Sequence, residues 1–157
     1  HIGPHDGTSP EELAIDAFVA RPGRAVVVSA GNEGDKDVHA SGSTVGGHTV
    51  EVFQAGEDEV IVVDCWIPGE DLVGVGFTDP SGRGVPDLRV EEESCGSSSR
   101  APNAVTACVG GVDPINGDRE ILFIVEPTSG LSPISAGRWK FHLLAEDVTN
   151  GRFDCWS

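Results

Sequence analysis

Two patterns of apolar residues divide the chain: a helical repeat near its start and a strand-like alternation over most of the remainder. The apolar positions that share the helical spacing are Leu13, Ala14, Ala17 and Phe18. They form one stripe and predict an amphipathic helix. Ser9 in front of the stripe is a good N-cap, Pro10 suits the first helical position, and Glu12 completes a capping box. Pro22-Gly23 then ends the predicted helix.

A short apolar run, Ala25 to Val28, follows the predicted helix and leads into Gly-Asn-Glu-Gly. Its β-branched residues predict a strand buried on both faces, as in a parallel sheet covered by helices. In such sheets, ligands and chemistry lie beyond the carboxyl ends of the strands. Asn32 stands at that end, where its side-chain N–H is suited to stabilise a developing negative charge, as in an oxyanion hole. Gly31 and Gly34 let the backbone turn sharply beside the cleft, although Asn32 as a plain turn residue is the alternative.

The longer second part of the chain shows the alternation of half-buried strands. Trp139, Phe141 and Leu143 alternate with Lys140 and His142, for example. An Asp-Pro-Ser-Gly segment predicts a tight turn, and two Asn-Gly pairs favour hairpins. The predicted strands are His48–Gln54, Glu59–Ile67, Asp71–Thr78, Asp87–Glu92, Ala104–Gly110, Glu120–Glu126, Arg138–Ala145 and Arg152–Trp156.

These short strands and their turns predict a mainly β fold, a jelly-roll-like β-sandwich made of two sheets. The sandwich is preceded by the short α/β piece, that is, the predicted helix and strand. Gly42 to Gly47 is the predicted linker between the two parts, and residues 94–100 are expected to form a serine-rich loop.

Several motifs in the first quarter of the chain occur in the order found in a known peptidase family. They are Gly-Pro-His-Asp-Gly-Thr at 3–8, the capped helix, Val-Val-Val-Ser-Ala-Gly-Asn-Glu-Gly at 26–34 and His-Ala-Ser-Gly at 39–42. This order resembles the subtilisin-like serine peptidases (subtilases, peptidase family S8), and most closely the subgroup with a β-sandwich inserted after this strand. The resemblance implies that the predicted strand belongs to a subtilisin-type parallel sheet and that Asn32 is the oxyanion donor.

The predicted sandwich resembles the inserted domain of those peptidases in the order of three short motifs. They are Pro80-Ser81-Gly82, Asn116-Gly117-Asp118-Arg119 and Gly137-Arg138-Trp139. The resemblance therefore implies two parts: residues 1–42 as a helix–strand segment of a catalytic domain, and residues 43–157 as the inserted β-sandwich.

Other features of the family are missing from this sequence. Its Asp and His motifs lie upstream of this region, and nothing between Glu33 and Ser157 fits its serine motif. Gly7-Thr8-Ser9-Pro10 imitates that motif, but it precedes Asn32 and Ser9 already has a capping role. We therefore expect an inactive piece of a larger enzyme, which would hydrolyse peptide bonds through an acyl-enzyme. Its partners would be the rest of the catalytic domain and the peptide substrate, and the absence of methionine agrees with a piece.

The four cysteines predict an oxidising, extracellular setting if they form disulfides. No Cys-x-x-Cys pair exists, so a structural zinc site is not expected. Of the three pairings that are possible in principle, the repeated Cys-Trp context favours Cys65 with Cys155. Cys95 and Cys108 would then close the serine-rich loop. Four reduced, buried thiols are the alternative.

The net charge of −16 argues against partners that are themselves anionic, so neither nucleic acid nor a membrane is an expected partner. No cofactor or metal site is predicted. Calcium is the one candidate ion, because carboxylates suit it. The densest acidic positions are Asp35 and Asp37 and the run Glu91-Glu92-Glu93. A solvated acidic face explains them as well.

The role of the sandwich stays open in the sequence. It is either a structural insert that shapes the rim of a cleft, or a binding module for a protein or carbohydrate surface. Trp66, Trp139 and Trp156 are candidates for a binding platform, but each lies in or beside an apolar strand, which favours burial.

For the whole chain, the alternatives to a serine endopeptidase fragment are a stand-alone, non-catalytic β-sandwich module and an inactive pseudo-protease scaffold. His5 and His39 are interpreted as structural residues.

Overall fold

The computed structural model describes residues 3–29, 31, 36, 38–54, 60–88, 93–100, 102–128 and 133–157. The chain divides into two compact units, His1–Val38 and His39–Ser157. The division falls four residues before the predicted boundary at residue 42. The physical reason is that residues 39–43 form a strand of the second unit rather than the start of a linker.

The first unit contains the predicted capped helix, α1 (Pro10–Val19). The Glu12 N–H donates to Ser9 Oγ at 3.3 Å, and the Ser9 N–H donates to Glu12 Oε2 at 3.1 Å. This reciprocal pair is the capping box that the sequence predicts. No residue of α1 is buried, so its apolar stripe is exposed, and the guanidinium of Arg24 lies 4.9 Å from the centre of the Phe18 ring.

The strand predicted over Ala25 to Val28 is wrong. Residues 24–29 have no regular secondary structure, and the side chains of Val27 and Val28 are 94% and 72% exposed. A buried parallel strand needs hydrogen-bonded neighbours and covering helices. The described residues of the first unit include no strand that could pair with this segment, and α1 is the one regular element among them.

The second unit is a β-sandwich, which confirms the predicted mainly β fold. Its described strands are β1 (His39–Ser43), β2 (His48–Gln54), β3 (Ile61–Pro68), β4 (Leu72–Thr78), β5 (Gly84–Leu88), β6 (Ser94–Arg100), β7 (Asn103–Val112), β8 (Asp118–Pro127), β9 (Gly137–Asp147) and β10 (Arg152–Trp156). One sheet has the order β1-β10-β3-β8-β7-β6, and the other has the order β2-β9-β4-β5. Every described pairing is antiparallel.

The connectivity is that of a jelly roll with one additional hairpin. The chain folds back on itself, so that β1 pairs with β10, β2 with β9 and β3 with β8, while β4 and β5 pair at the tip. These nested pairs lie alternately in the two sheets, as expected for a long hairpin rolled into a sandwich. The hairpin β6–β7 is inserted before β8 and extends the first sheet at its edge.

The core lies between the two sheets and explains the alternation in the sequence. In β9, Trp139, Phe141 and Leu143 are at most 1% exposed, whereas Lys140 and His142 are only half-buried. The largest fully buried side chains also include Phe123, Phe153, Ile67, Ile121 and Ile134. The rings of Phe123 and Phe141, from opposite sheets, have centroids 5.1 Å apart, which is a favourable aromatic separation.

Two strands contradict the sequence prediction, because β1 was expected to lie partly in the linker and β6 was expected to be a loop. Both consist mainly of serine and glycine, which have little preference for strands. In sheet order they are the outermost strands of the first sheet. Each is held by a continuous register with a stronger neighbour, β10 for β1 and β7 for β6. Tertiary pairing therefore overrides a weak local preference.

Both disulfides of the described structure join directly opposite residues of neighbouring strands. Cys65 of β3 is bonded to Cys155 of β10, and Cys95 of β6 is bonded to Cys108 of β7. The first bond lies in the core and spans 90 residues of sequence, whereas the second spans 13. The first bond therefore links the last strand to the middle of the sheet, and the second bond closes a local hairpin.

Asp71 is a fully buried carboxylate that holds the connection between β9 and β10. It accepts hydrogen bonds from the backbone N–H groups of Thr149, Asn150 and Gly151 at 2.7, 3.0 and 2.7 Å. Burial alone would raise the pKa of Asp71, but these three bonds to its ionised form outweigh burial and lower the pKa from its ordinary value of 3.8. Asp71 thus supplies the acceptors for three successive backbone donors of this turn, of which the bond to Gly151 is buried.

The two disulfides are expected to differ in their contribution to stability. Replacing Cys65 and Cys155 together by alanine should lower the free energy of unfolding by about 4–5 kcal/mol, because the bond closes a long loop of the unfolded chain. Replacing Cys95 and Cys108 should cost about 3 kcal/mol. Urea unfolding of the two double variants measures both values. An equal or greater loss in the second variant would contradict this assignment.

Asp71→Ala should lower the free energy of unfolding by at least about 2 kcal/mol, because three backbone donors lose their acceptor. The control is Glu70→Ala, at an exposed neighbouring position, which should change it by less than about 0.5 kcal/mol.

The contribution of Asp71 should also depend on pH. Its pKa is lower in the folded than in the unfolded protein, so its stabilisation is present above pH 3.8 and is lost as the pH falls through the folded pKa. The stability difference between the wild type and Asp71→Asn should therefore shrink below pH 3.8, as measured by urea unfolding at several pH values. A difference that stays constant would exclude this origin.

Candidate functional site

The residues predicted to form the oxyanion site are only partly described. Gly31 is exposed and has a φ of +76°, a left-handed conformation that favours glycine. An added Cβ there would meet nothing within 4 Å, so the requirement for glycine comes from the backbone and not from crowding. Asn32 and Gly34 lie outside the described residues. The described geometry therefore shows a left-handed backbone conformation at Gly31, immediately before Asn32 in the sequence.

Ser9, the residue that imitates a catalytic serine motif, is engaged in the helix cap. It is 5% exposed, and its Oγ accepts a hydrogen bond from the Glu12 backbone. A nucleophilic serine needs a base positioned to accept its hydroxyl proton and access to substrate. The buried capping geometry fits a structural role for Ser9.

A chain of polar and charged side chains connects β1, β10 and β8 in the second unit. His39 Nε2 lies 3.2 Å from Asp154 Oδ1, and Arg152 Nη1 donates to Asp154 Oδ2 at 2.9 Å. Arg152 Nη2 also bonds to Asp118, and this bond is the main cause that raises the pKa of Arg152. The ring of His39 stacks on Trp156 with centroids 4.8 Å apart. The network connects the edge strand β1 to the interior of its sheet.

The sequence analysis named His39, Asp118 and Trp156 separately and did not predict this network. Asp154 lies 115 residues from His39 and faces it only because β1 pairs with β10. An imidazole beside a carboxylate is an arrangement also used for general bases. Here, however, the ring is stacked on an indole, and among the described residues no hydroxyl or thiol is hydrogen-bonded to it. The arrangement supports the predicted structural role of His39.

A second cluster missed by the sequence analysis is a pair of carboxyl groups on β3 and β8. Asp64 is 2% exposed, and Glu120 lies on the neighbouring strand. Burial raises the pKa of Glu120, and the adjacent Asp64 charge raises it further. Such a pair holds a proton more tightly than an isolated carboxyl. The sequence contained no signal for it, because the two residues are brought together by strand register.

The three tryptophans do not form a common exposed surface. Trp139 is 1% exposed, and its Nε1 donates to the Ser135 carbonyl at 3.0 Å; Trp66 is also buried. Trp156 is half-buried against His39. Burial of Trp66 and Trp139 agrees with the interpretation that tryptophans in apolar strands belong to the core.

The structure describes only part of the acidic residues. Among the described residues, no group of three or more His, Cys, Asp or Glu side chains is placed to hold a metal ion. Four of the calcium candidates, Asp35, Asp37, Glu91 and Glu92, lie outside the described residues, whereas Glu93 is described and exposed. In the described part of the chain, no helix combines the length and the apolar character needed to span a membrane.

Comparisons with known proteins found a similar structure but no family model or curated protein that matches the sequence. No protein-family model matches the sequence, and no curated protein matches it. The structure is similar to that of the CspB protease of Clostridium perfringens, with a TM-score of 0.86 and 23% sequence identity. The match covers 98% of this chain and 32% of that protein, so the chain spans about a third of its length.

These findings correct the assignment made from the motifs. The identification of the chain as a member of the subtilisin-like serine peptidases, based on residues 3–42 and on the order of three motifs in the sandwich, is wrong, since no family model matches the sequence. An identity of 23% to a solved structure establishes the fold and nothing finer. Motifs of only three to nine residues therefore suggested a family membership that the whole sequence does not support.

Proposed function

We propose that the chain is a segment of a larger, secreted serine endopeptidase, in which it supplies an accessory β-sandwich and the residues after Val28 contribute to the active site. The observation that carries the proposal is the structural similarity to the CspB protease, which extends over 98% of the chain. Because the chain spans about a third of that protein, the remaining catalytic groups would come from the rest of the parent enzyme.

In the proposed reaction, a serine of the parent enzyme attacks the carbonyl carbon of the scissile peptide bond while a base takes its proton. The carbonyl oxygen becomes an oxyanion, to which the side-chain N–H of Asn32 donates a hydrogen bond. Collapse of this intermediate releases the protonated amine and leaves an acyl-enzyme, which water then hydrolyses. The positive φ of Gly31 is compatible with this role, because a left-handed glycine lets the backbone change direction directly before Asn32.

The extracellular setting is supported by the two disulfides, since such bonds persist in oxidising compartments. The net charge of −16 would keep the domain soluble and away from anionic surfaces. The exposed apolar side chains of α1 and of Val27 and Val28 would be covered by the rest of the catalytic domain, which is the proposed partner of the first unit.

In the full-length enzyme, Asn32→Ala should lower kcat by about 10²–10³-fold with little change in KM, because the lost hydrogen bond forms mainly in the transition state. Steady-state kinetics on a peptide substrate provide the measurement. Asn150→Ala, at an exposed asparagine of the sandwich, is the control and should retain the wild-type kcat. Equal kcat values for Asn32→Ala and the wild type would exclude the oxyanion role.

A fluorophosphonate probe should label the full-length enzyme but not the isolated 157-residue chain. The isolated chain would lack the nucleophile, and its Ser9 hydroxyl is buried in the helix cap. Labelling is read by intact mass and peptide mapping, with heat-denatured protein as the control. Modification of Ser9 in the folded chain would contradict the proposed division of roles, and an unlabelled full-length protein would contradict a serine mechanism.

A further inference from the structure

The two disulfides of the described structure differ in their exposure to solvent. Cys65 and Cys155 are at most 1% exposed and belong to the core between the two sheets. Cys95, by contrast, is exposed, and Cys108 is only half-buried. A reagent in solution can therefore approach the second bond in the folded protein, whereas the first bond is covered by the core.

The accessible bond lies on the outer face of the first sheet, near the open end of the hairpin β6–β7. Ala107 and Val109, on either side of Cys108 in β7, are buried in the core, so Cys108 faces outward. Cys95 is its direct partner in the register of the two strands, and the pairing extends to Arg100 near the turn. The bond therefore ties the end of β6 that the turn does not hold.

Strand β6 depends on its pairing with β7 for its order. It is the outermost strand of its sheet, and β7 is its single neighbour in the described sheet order. Its sequence, Ser-Cys-Gly-Ser-Ser-Ser-Arg, contains none of the β-branched or aromatic residues that favour strands. Residues 94–99 are half-buried or exposed, and none of them is buried in the core. Loss of the covalent bond should therefore affect this strand more than any strand inside the sheet.

Thiol–disulfide exchange requires a thiolate to reach one of the two sulfurs, and exposed disulfides are accordingly the labile ones. We propose that the Cys95–Cys108 bond is an exchange site for dithiols, and that its reduction releases the free end of β6 from the sheet. The inference concerns the second unit alone and does not depend on the proposed catalytic role of the chain.

In the proposed exchange, a thiolate of the dithiol attacks Sγ of Cys95, the more exposed residue of the pair. The disulfide breaks, Cys108 leaves as a thiolate, and Cys95 forms a mixed disulfide with the dithiol. The second thiolate of the dithiol then attacks its own sulfur in the mixed disulfide and releases Cys95. The dithiol becomes a cyclic disulfide, and its two electrons and two protons leave two cysteine thiols on the protein.

The test is the reduction of the folded, full 157-residue chain by dithiothreitol, followed over time by alkylation with N-ethylmaleimide and peptide mapping. We expect the Cys95–Cys108 bond to be reduced at least about 100-fold faster than the Cys65–Cys155 bond, because the buried bond reacts only after the core has opened. In the chain unfolded by guanidinium, the two rates should agree within about threefold. This control shows whether the fold causes the selectivity.

Amide hydrogen exchange measures whether β6 is released. In the selectively reduced chain, residues 94–97 should exchange at least about tenfold faster than in the oxidised chain, while β3 and β8 should keep their protection. The double variant Cys95→Ala/Cys108→Ala should exchange like the reduced wild type, both with and without dithiothreitol. It is the matched control for direct effects of the reductant.

Selective reduction together with faster exchange of residues 94–97 supports the proposal, even if the double variant fails to fold. Equal reduction rates of the two bonds in the folded chain would overturn it. Selective reduction with unchanged exchange of residues 94–97 would also overturn it, since the bond would then be accessible without controlling the strand.

Discussion

The internal position of the last strand is the constraint on which the sandwich depends. Strand β10 pairs with β1 on one side and with β3 on the other, and the disulfide between Cys65 and Cys155 makes the second contact covalent. Its Phe153 is fully buried, and Asp71 holds the turn that leads into it. The first sheet is complete only when β10, at the end of the chain, lies between β1 and β3. The entropy of closing this long loop opposes folding, and the disulfide offsets part of that cost.

This return of the chain also places the polar groups that are candidates for function. Pairing of β1 with β10 brings His39 to Asp154, and pairing of β3 with β8 brings Asp64 to Glu120. Both groups lie in the sandwich, whereas the residues proposed for oxyanion stabilisation belong to the first unit.

The sequence predicted strands well where one face of a strand is buried. The bounds of β2 and β10 agree with the prediction, and the core residues of β9 follow its alternation. The same reasoning failed for Ala25 to Val28, whose apolar run requires a surrounding sheet to become a strand. It failed again for β1 and β6, whose serines and glycines are strands only because a neighbour pairs with them. The family assignment failed for a related reason, because short motifs report local geometry while a family requires agreement along the whole chain.

What the sequence by itself determined is therefore local or periodic: the capped helix from Ser9, the alternation of β9 and the turns that separate the strands. These features depend on neighbours within a few residues, and the chemistry of those neighbours is visible in order along the chain. Only the tertiary structure decided that edge strands form, that Asp71 accepts hydrogen bonds from a distant turn, and that the buried Asn103 amide accepts hydrogen bonds from Ser135. The physical reason is that these contacts join residues far apart in sequence, and their hydrogen bonds and burial exist only after the two sheets have closed on each other.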